Sequence, residues 1–228
     1  MPSESLRVQI PHAGVDEVSA ILDAPDDDPG GPVVLLAHGA GVGMTSGFLE
    51  TIGRGLAAAG FPTLRFHYAY AERMARGEGR RPPDRRPVLE AVHEAALAAL
   101  QARYPERAPV LAGKSMGGRM SSYLAAAGVD CRALVFYGYP LHPAGKPERL
   151  RVEHFPTLAQ PALFLQGTRD DLGSRDEISG YALSPAIRVT FLEDGDHSFK
   201  PRVRSGRTLE ANLAEAVDGM DAFLRGLR

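Results

Sequence analysis

The sequence predicts an α/β fold: a doubly wound, mostly parallel sheet with helices on both faces. Short apolar runs alternate with longer segments of helical periodicity along the 228 residues. Some runs are apolar throughout, as in residues 32–37, which is typical of a strand buried on both faces of a parallel sheet. Polar residues follow several of these runs, and ligands of such folds bind beyond the carboxyl ends of the strands. We find no repeat or linker and expect residues 1–228 to form one domain.

Each element is predicted from its periodicity and from the residues that bound it. The predicted strands are residues 6–10 and 16–22 (an opening hairpin), 32–37, 61–67, 110–112, 133–137, 162–166 and 187–192. The predicted helices are residues 48–59, which Gly60 ends, then 87–103, with Pro87 in the first turn, 116–127 and 207–227. We expect residues 68–86 to be irregular. The Pro-rich residues 138–160 are too few for a lid domain, so we expect an open pocket without a cap.

Composition excludes several classes of function. Hydrophobic residues make up 44% of the chain and charged residues 24%, as in ordinary globular proteins. The net charge of -2 gives no reason to expect nucleic acid as a partner. Residues 1–5 lack the basic start and apolar run of a secretory signal, and no apolar stretch approaches the roughly 20 residues that span a bilayer. We therefore expect a soluble, cytoplasmic protein without a membrane partner.

The run Gly113-Lys114-Ser115-Met116-Gly117 stands between a predicted strand and a predicted helix. Gly-x-Ser-x-Gly in that context describes a nucleophile elbow, a turn so sharp that the serine side chain is lifted clear of the sheet. Glycine is needed on either side because a Cβ there would prevent the strand and helix from passing each other. A Gly-rich chain can contain the bare pattern by chance, so the interpretation depends on the rest of the site.

Two further residues follow predicted strands and complete a catalytic triad. Asp170 follows the strand 162–166, and His197 follows the strand 187–192. The chain order Ser, Asp, His is that of α/β-hydrolases. A serine hydroxyl needs an imidazole to take its proton, and a buried carboxylate orients that imidazole. Taken singly, such residues are more often a helix cap, a turn former and a solvated histidine, but their combination favours a triad.

Three neighbouring acids compete with Asp170 for the orienting role. Asp171 is adjacent in sequence and is the serious alternative. Asp194 and Asp196 lie in the loop of the histidine itself, where we expect them to form turns.

The oxyanion hole is predicted at two backbone N–H groups, those of Ala40 and Met116. Ala40 lies in the loop His38-Gly39-Ala40-Gly41, which follows the strand 32–37, and Met116 follows the nucleophile. Because the donors are backbone groups, neither residue needs a polar side chain. We expect His38 to hold this loop rather than to take part in catalysis.

No cofactor or metal site is predicted. Gly39-Ala40-Gly41-Val42-Gly43 imitates a dinucleotide fingerprint, but Met44 stands where the third glycine belongs and no acid follows the next strand. Gly113-Lys114-Ser115 imitates the end of a phosphate-binding loop, but Ala108 replaces the first glycine of that motif. Lys114 is then only the variable position of the elbow. A single cysteine, Cys131, excludes an intramolecular disulfide and a cysteine-based zinc site, and we expect it to pack in the interior.

Two segments are candidates for substrate binding. Residues 68–86 contain six arginines after a strand, of which we select Arg73 and Arg76 as groups that could bind a carboxylate or phosphate. The alternative is a solvated loop neutralised by its own Glu72, Glu78 and Asp84. In residues 138–160 the candidates are Tyr139 and His142.

With these residues in place, the chain resembles the α/β-hydrolase superfamily, in particular the small lidless branch related to dienelactone hydrolases. It resembles more closely a group of predicted hydrolases that includes the testis-expressed hydrolase-like protein. The resemblance is carried by six stretches that span most of the chain: residues 36–41, 80–85, 113–118, 138–143, 166–170 and 195–199. It implies that Ser115 is the nucleophile, Asp170 the orienting acid and His197 the base. Dienelactone hydrolases carry a cysteine at the elbow, so their substrate class does not carry over.

These observations predict a serine hydrolase of small carboxylic esters or thioesters that acts through an acyl-enzyme without a cofactor. Its partner would be a small-molecule substrate, and the sequence leaves the oligomeric state open. One alternative is a hydrolase-fold protein that serves as a binding module, although binding needs none of the three triad residues. A peptidase or an acyl transferase that uses the same triad is the other alternative.

Overall fold

One mixed sheet organises the computed structural model, which describes residues 2–11, 14–181 and 183–227. Within those residues the sheet has eight strands: β1 (Ser3–Gln9), β2 (Glu17–Asp23), β3 (Val33–Ala37), β4 (Thr63–Phe66), β5 (Pro109–Lys114), β6 (Ala133–Tyr137), β7 (Ala162–Gly167) and β8 (Ile187–Leu192). They lie in the spatial order β1-β2-β4-β3-β5-β6-β7-β8. The opening hairpin β1–β2 is antiparallel, and β2 is also antiparallel to β4. All other neighbouring strands are parallel, so the predicted mostly parallel sheet is confirmed.

Helices cover both faces of the sheet. The described helices are α1 (Gly47–Ala58), α2 (Ala69–Ala75), α3 (Arg86–Arg103), α4 (Met116–Ala126), α5 (Arg175–Ser179) and α6 (Leu209–Arg225). The core on one face includes Leu49 and Ile52 of α1 with Leu213 and Met220 of α6. The core on the other face contains the apolar sides of α2, α3 and α4. Because each strand of the parallel part contributes alternate side chains to both cores, β3, β5, β6 and β7 are buried along their whole length.

Two short helices depart from the sequence prediction. Residues 69–75, expected to be irregular, form α2, and α5 was not predicted at all. The prediction for 68–86 was wrong at its start because the Gly, Pro and Arg residues that indicate a loop are concentrated after residue 75. The α2 segment instead consists of helix-compatible residues, of which Ala69, Tyr70 and Ala71 are buried against the sheet.

The parallel strands bring four loops to one edge. β3, β5, β7 and β8 all point the same way, so the residues that follow Ala37, Lys114, Gly167 and Leu192 meet at the carboxyl edge of the sheet. Between β6 and β7 the chain forms only a single 3-10 turn at Phe155–Thr157. No cap domain therefore covers this edge within the described part of the chain.

Candidate active site

The turn from β5 into α4 holds Ser115 in a backbone conformation that non-glycine residues rarely adopt. Its φ is 50° and its ψ is -112°, and residues in such strained conformations cluster at active sites. The strand and helix cross so closely that a Cβ on Gly113 would lie 2.4 Å from the carbonyl carbon of Gly117. A Cβ on Gly117 would lie 2.4 Å from the carbonyl oxygen of Ala37 in β3. Both glycines of the motif are therefore required by backbone packing.

Hydrogen bonds connect Ser115, His197 and Asp170 in one chain. The Oγ of Ser115 lies 2.9 Å from Nε2 of His197, and Nδ1 of the same ring lies 2.8 Å from Oδ2 and 3.0 Å from Oδ1 of Asp170. With the proton on Nδ1 donated to the carboxylate, Nε2 is left as an acceptor for the serine hydroxyl. The structure thus brings together three residues from the ends of β5, β7 and β8, of which Ser115 and His197 are 82 positions apart in sequence.

Asp170 is buried and held by groups other than the histidine. Its Oδ1 accepts a hydrogen bond from the backbone N–H of Leu172, and its Oδ2 accepts one from Nε2 of Gln166, both at 2.8 Å. These contacts fix the carboxylate and provide its oxygens with hydrogen-bond donors in a buried position. Asp171, the competing acid, is exposed and makes no contact with His197.

The two other acids near the histidine shape its loop. The carboxylate of Asp194 pairs with Arg202, and its backbone has a positive φ of 53°. Oδ1 of Asp196 accepts hydrogen bonds from the backbone N–H groups of Ser198 and Lys200 at 2.8 and 3.0 Å. Both therefore form turns that set the position of His197, in the role expected for them.

Sequence reasoning missed a role for Lys114. Its side chain is buried, and Nζ donates a hydrogen bond of 2.6 Å to the backbone carbonyl of His197. Burial lowers the pKa of Lys114 to about 8, although the carboxylates of Asp170 and Asp196 act in the opposite direction. The side chain thus ties the elbow to the loop of the histidine. Lys114 occupies the variable position between Gly113 and Ser115 of the motif, so the sequence did not indicate this contact.

The loop after β3 approaches the elbow closely. A Cβ on Gly39 would lie 3.5 Å from both the Lys114 carbonyl oxygen and the Ser115 Cβ. Ala40 lines the same cavity as Ser115 and Met116, which is the arrangement that the predicted oxyanion hole requires. The structure therefore gathers the two donor residues around the serine, and their role remains a prediction.

His38 holds this loop from beneath. The ring is fully buried, and Nδ1 lies 2.8 Å from the Gly39 carbonyl oxygen. Its Nε2 accepts a hydrogen bond of 3.1 Å from the backbone N–H of Tyr68. Burial lowers the pKa of His38 to about 3, so the ring is neutral near pH 7. The expected structural role fits these contacts, which connect the ends of β3 and β4.

A cavity of about 420 Å³ opens above Ser115. One wall is formed by α4 and the start of α3, and the other comes from the segment between β6 and β7. Its lining combines apolar surface with three arginines, Arg86, Arg119 and Arg151. Sequence reasoning named Arg86 only as one of six in its segment and did not consider the other two. Arg119 stands four residues after the serine, and this helical spacing was the available signal.

Arg73 and Arg76 do not line this cavity. Nη1 of Arg73 lies 3.3 Å from Oδ1 of Asp84, and Nε of Arg76 lies 3.1 Å from Oε1 of Glu72. Nη2 of Arg76 also donates to the backbone carbonyl of Glu17. Local counter-charges and the backbone thus hold both guanidiniums at the surface of α2, and this geometry favours the solvated-loop alternative over substrate binding.

Tyr139 and His142 are buried behind the cavity. The ring of Tyr139 packs among Phe136, Phe155 and Phe164. Nε2 of His142 lies 3.1 Å from Oε1 of Glu177 in α5. Neither side chain lines the cavity, because both are occupied in holding the segment between β6 and β7 against the sheet.

Other predicted features have simple locations. Cys131 is a buried free thiol, and burial raises the pKa of that thiol to about 12. Among the described residues, no cluster of three or more His, Cys, Asp or Glu side chains is arranged to bind a metal. In the same part of the chain, no helix combines the length and apolarity needed to cross a bilayer.

Comparisons with known proteins agree with this architecture. Solved structures with the same fold include an α/β serine hydrolase homologue from Coxiella burnetii (TM-score 0.72, 17% identity, covering 100% of this chain and 99% of that one). A serine hydrolase without a lid from Xanthomonas campestris gives a TM-score of 0.69 at 19% identity, with 96% of each chain covered. A dienelactone hydrolase from Anabaena variabilis gives 0.71 at 18% identity, covering 100% of this chain and 99% of that one.

The sequence also matches a protein-family model. Residues 30–225 match the model described as the alpha/beta hydrolase domain, which covers the elbow, the acid and the histidine together. The chain therefore belongs to the alpha/beta hydrolase family, and hydrolase is the enzyme class to which this membership assigns it.

Proposed function

We propose that this protein is a serine hydrolase of small carboxylic esters or thioesters, with Ser115 as nucleophile, His197 as general base and Asp170 as orienting acid. The observation that carries the proposal is the hydrogen-bonded chain from Ser115 Oγ through His197 to the buried Asp170 carboxylate. A binding module would not need these hydrogen bonds between a serine, a histidine and an aspartate. The esterase and dienelactone hydrolase names among proteins of the same fold agree with the proposal.

Acylation uses the elbow and its neighbours. As Ser115 Oγ attacks the substrate carbonyl carbon, its proton passes to Nε2 of His197. The carbonyl oxygen becomes an oxyanion, which the backbone N–H groups of Ala40 and Met116 stabilise. When the tetrahedral intermediate collapses, the bond to the leaving oxygen or sulfur breaks and His197 returns the proton to it. The products of this half are an alcohol or thiol and the acyl-enzyme.

Deacylation repeats these steps with water as nucleophile. His197 takes a proton from water as the water oxygen attacks the ester carbonyl of the acyl-enzyme. The carboxylic acid leaves as the proton is transferred to Ser115 Oγ. Throughout, Asp170 holds the ring in the tautomer that leaves Nε2 free and stabilises the imidazolium that forms twice in each cycle. The open cavity gives water a route to the acyl-enzyme.

An activity-based probe tests the assignment directly. A fluorophosphonate should label the wild-type protein and should not label Ser115→Ala. The matched control is Ser5→Ala, which removes a serine hydroxyl from the edge strand β1 and should leave the labelling intact. Hydrolysis should fall by several orders of magnitude in Ser115→Ala, to the roughly 10³–10⁴-fold catalysis over water that remains when a triad nucleophile is removed.

A substrate screen then separates the alternatives. We expect hydrolysis of p-nitrophenyl esters of short acyl chains and of matching thioesters, with little turnover of p-nitroanilides. Folded wild-type protein that is neither labelled nor active on any of these compounds would overturn the proposal and support a binding module. Turnover confined to the anilides would instead indicate a peptidase.

A further inference from the structure

Two of the three arginines in the cavity have no counter-charge among the residues that the structure describes. Arg119 and Arg151 line the cavity together with Ser115, yet neither side chain forms an ion pair or a hydrogen bond with any residue that the structure describes. Nε of Arg119 is fully buried without a hydrogen-bond partner. A buried donor without a partner destabilises the protein, and more so when it is charged, so this arrangement favours a ligand that accepts the hydrogen bond.

The third arginine shows what a satisfied side chain looks like at the same place. Arg86 pairs with Glu90 at 2.7 Å, and its guanidinium lies 4.0 Å from the centre of the Tyr123 ring. Asp84 is the one acid that lines the cavity among the described residues, and it is held by Arg73 and by the backbone N–H of Tyr70. Asp84 and Glu90 thus pair with groups other than Arg119 and Arg151.

The two guanidiniums also affect each other. Burial lowers the pKa of Arg151, and the positive charge of Arg119 lowers it further. Two like charges held together in a partly buried site repel unless an anion lies between or beside them. This electrostatic environment favours a negatively charged group in the cavity.

A buried hydrogen-bond network holds the backbones of both arginines. Oγ of Ser122 donates to the Arg119 carbonyl at 2.8 Å, and the Tyr139 hydroxyl donates to the Arg151 carbonyl at 3.2 Å. The two hydroxyl oxygens lie 3.1 Å apart, which joins α4 to the segment between β6 and β7. The backbones of both arginines are therefore held in place before any ligand arrives, and such preorganisation lowers the entropic cost of binding.

The position of Arg119 relative to Ser115 sets the geometry of a ligand. The N–H of Arg119 donates to the Ser115 carbonyl at 3.1 Å, so the two residues are one helical turn apart on the same side of α4. One turn corresponds to a rise of about 5–6 Å, so a substrate attacked at Ser115 can place a group several bonds away beside Arg119.

We propose that Arg119 and Arg151 form an anion subsite that binds a carboxylate or phosphate of the substrate, so that the enzyme acts on negatively charged esters or thioesters. This inference rests on the proposed serine hydrolase and names its substrate class. Guanidinium groups suit both anions because they donate two parallel N–H groups to their oxygen atoms.

The first test compares two acyl chains of equal length. Mono-p-nitrophenyl adipate carries a terminal carboxylate, and p-nitrophenyl hexanoate does not. We expect kcat/KM for the adipate to fall about 10–100-fold in Arg119→Gln and in Arg151→Gln, as expected for a lost charge-assisted hydrogen bond. The value for the hexanoate should change less than threefold. Arg103→Gln is the matched control, because it removes an exposed arginine from the far end of α3, at the opposite edge of the sheet.

The second test places the anion on the leaving group. Hexanoate esters of 4-hydroxybenzoate, of 4-hydroxyphenyl phosphate and of 4-hydroxybenzamide differ in carrying a carboxylate, a phosphate or no charge. A preference for one charged ester over the amide that disappears in both arginine variants identifies the anion and places it on the leaving side. A preference confined to the adipate places it on the acyl side.

The outcomes separate this inference from the proposed function. Equal losses on charged and neutral substrates in variants that melt like the wild type would overturn the anion subsite while leaving the hydrolase intact. If the wild type hydrolyses none of these esters, calorimetric titration of Ser115→Ala with adipate and with inorganic phosphate decides the question. Saturable binding that weakens at least tenfold in the double variants with Arg119→Gln or Arg151→Gln supports the subsite, and unchanged or absent binding overturns it.

Discussion

The elbow at Ser115 and the arginine-rich segment 68–86 both follow strands at the same edge of the sheet, and they use their polar residues differently. At the elbow, a hydroxyl and a carboxylate from distant parts of the chain each lie within 3.0 Å of the imidazole between them. In the segment 68–86, Arg73 and Arg76 pair with acids of the same segment, Asp84 and Glu72. The first region draws its partners from across the fold, whereas the arginines of the second meet acids of their own segment.

This difference shows which sequence signals indicate function. The motif at the elbow constrains backbone geometry, and that constraint presents a side chain toward the cavity whatever surrounds it. A cluster of charges imposes no such geometry, and flexible arginines pair with the nearest carboxylates. The arginines that remain without a counter-charge, Arg119 and Arg151, come from segments with few acids of their own. Four substitutions test this difference between the elbow and the segment 68–86.

Asp170→Asn should have the largest effect. An amide in place of the carboxylate would no longer hold His197 with its proton on Nδ1, and the loss in kcat should be about 10³–10⁴-fold. Ester hydrolysis under saturating substrate measures it. Asp171→Asn is the matched control, because this neighbouring acid is exposed and should retain activity within about twofold. A larger loss in Asp171→Asn would transfer the orienting role to that residue.

Gly117→Ala should destabilise the fold. The added Cβ would lie 2.4 Å from the Ala37 carbonyl oxygen, a backbone atom that cannot move without displacing β3. We expect a loss of more than about 4 kcal/mol in the free energy of unfolding, measured by urea denaturation. Gly47→Ala is the control, because a Cβ there meets nothing within 4 Å and should leave stability unchanged or slightly raised. Normal stability of Gly117→Ala would mean that the strand and helix are not in contact at the elbow.

Lys114→Met should weaken catalysis through the position of His197. The substitution removes the donor to the His197 carbonyl, and a hydrogen bond from a charged group contributes about 1.5–3 kcal/mol, so kcat should fall about 10–100-fold. The pKa of Lys114 is about 8, so the ammonium is present below that pH and is lost above it. The ratio of wild-type to variant activity should therefore decrease as the pH rises through about 8.

The control for this pH profile is Lys200→Met, an exposed lysine in the same loop region whose activity ratio should stay flat. A ratio for Lys114→Met that is constant from pH 6 to 10 would argue for a purely structural role of this side chain.

Arg76→Gln should have the smallest effect. The side chain is paired with Glu72 and lies outside the cavity, so kcat/KM should remain within about twofold on both charged and neutral esters. The same substrates that test Arg119 and Arg151 serve here. A selective loss of kcat/KM on the charged ester would instead indicate that the segment 68–86 binds substrate.

Much of this protein could be predicted from its sequence because the signals were local. The periodicity of apolar residues predicted the mostly parallel sheet and the four long helices, but it did not predict the short helices α2 and α5. The helix α2 was missed because its stability comes from buried contacts of Tyr70 and its neighbours rather than from periodicity. The order of Ser115, Asp170 and His197 at strand ends also belongs to the sequence, because parallel strands must present their carboxyl ends together.

The partner of each polar side chain depends on the tertiary structure. The sequence favoured Asp170 and left Asp171 as an alternative, because one residue of displacement in a turn separates a buried contact with His197 from exposure to solvent. It gave Lys114 no role, because the partner of this side chain is a backbone carbonyl 83 residues away. It favoured the arginines of 68–86 over Arg119 and Arg151, because charge counts along a chain do not reveal which charges find a partner in space. Backbone geometry is dictated by neighbouring residues, whereas the pairing of side chains is dictated by distance in the folded protein.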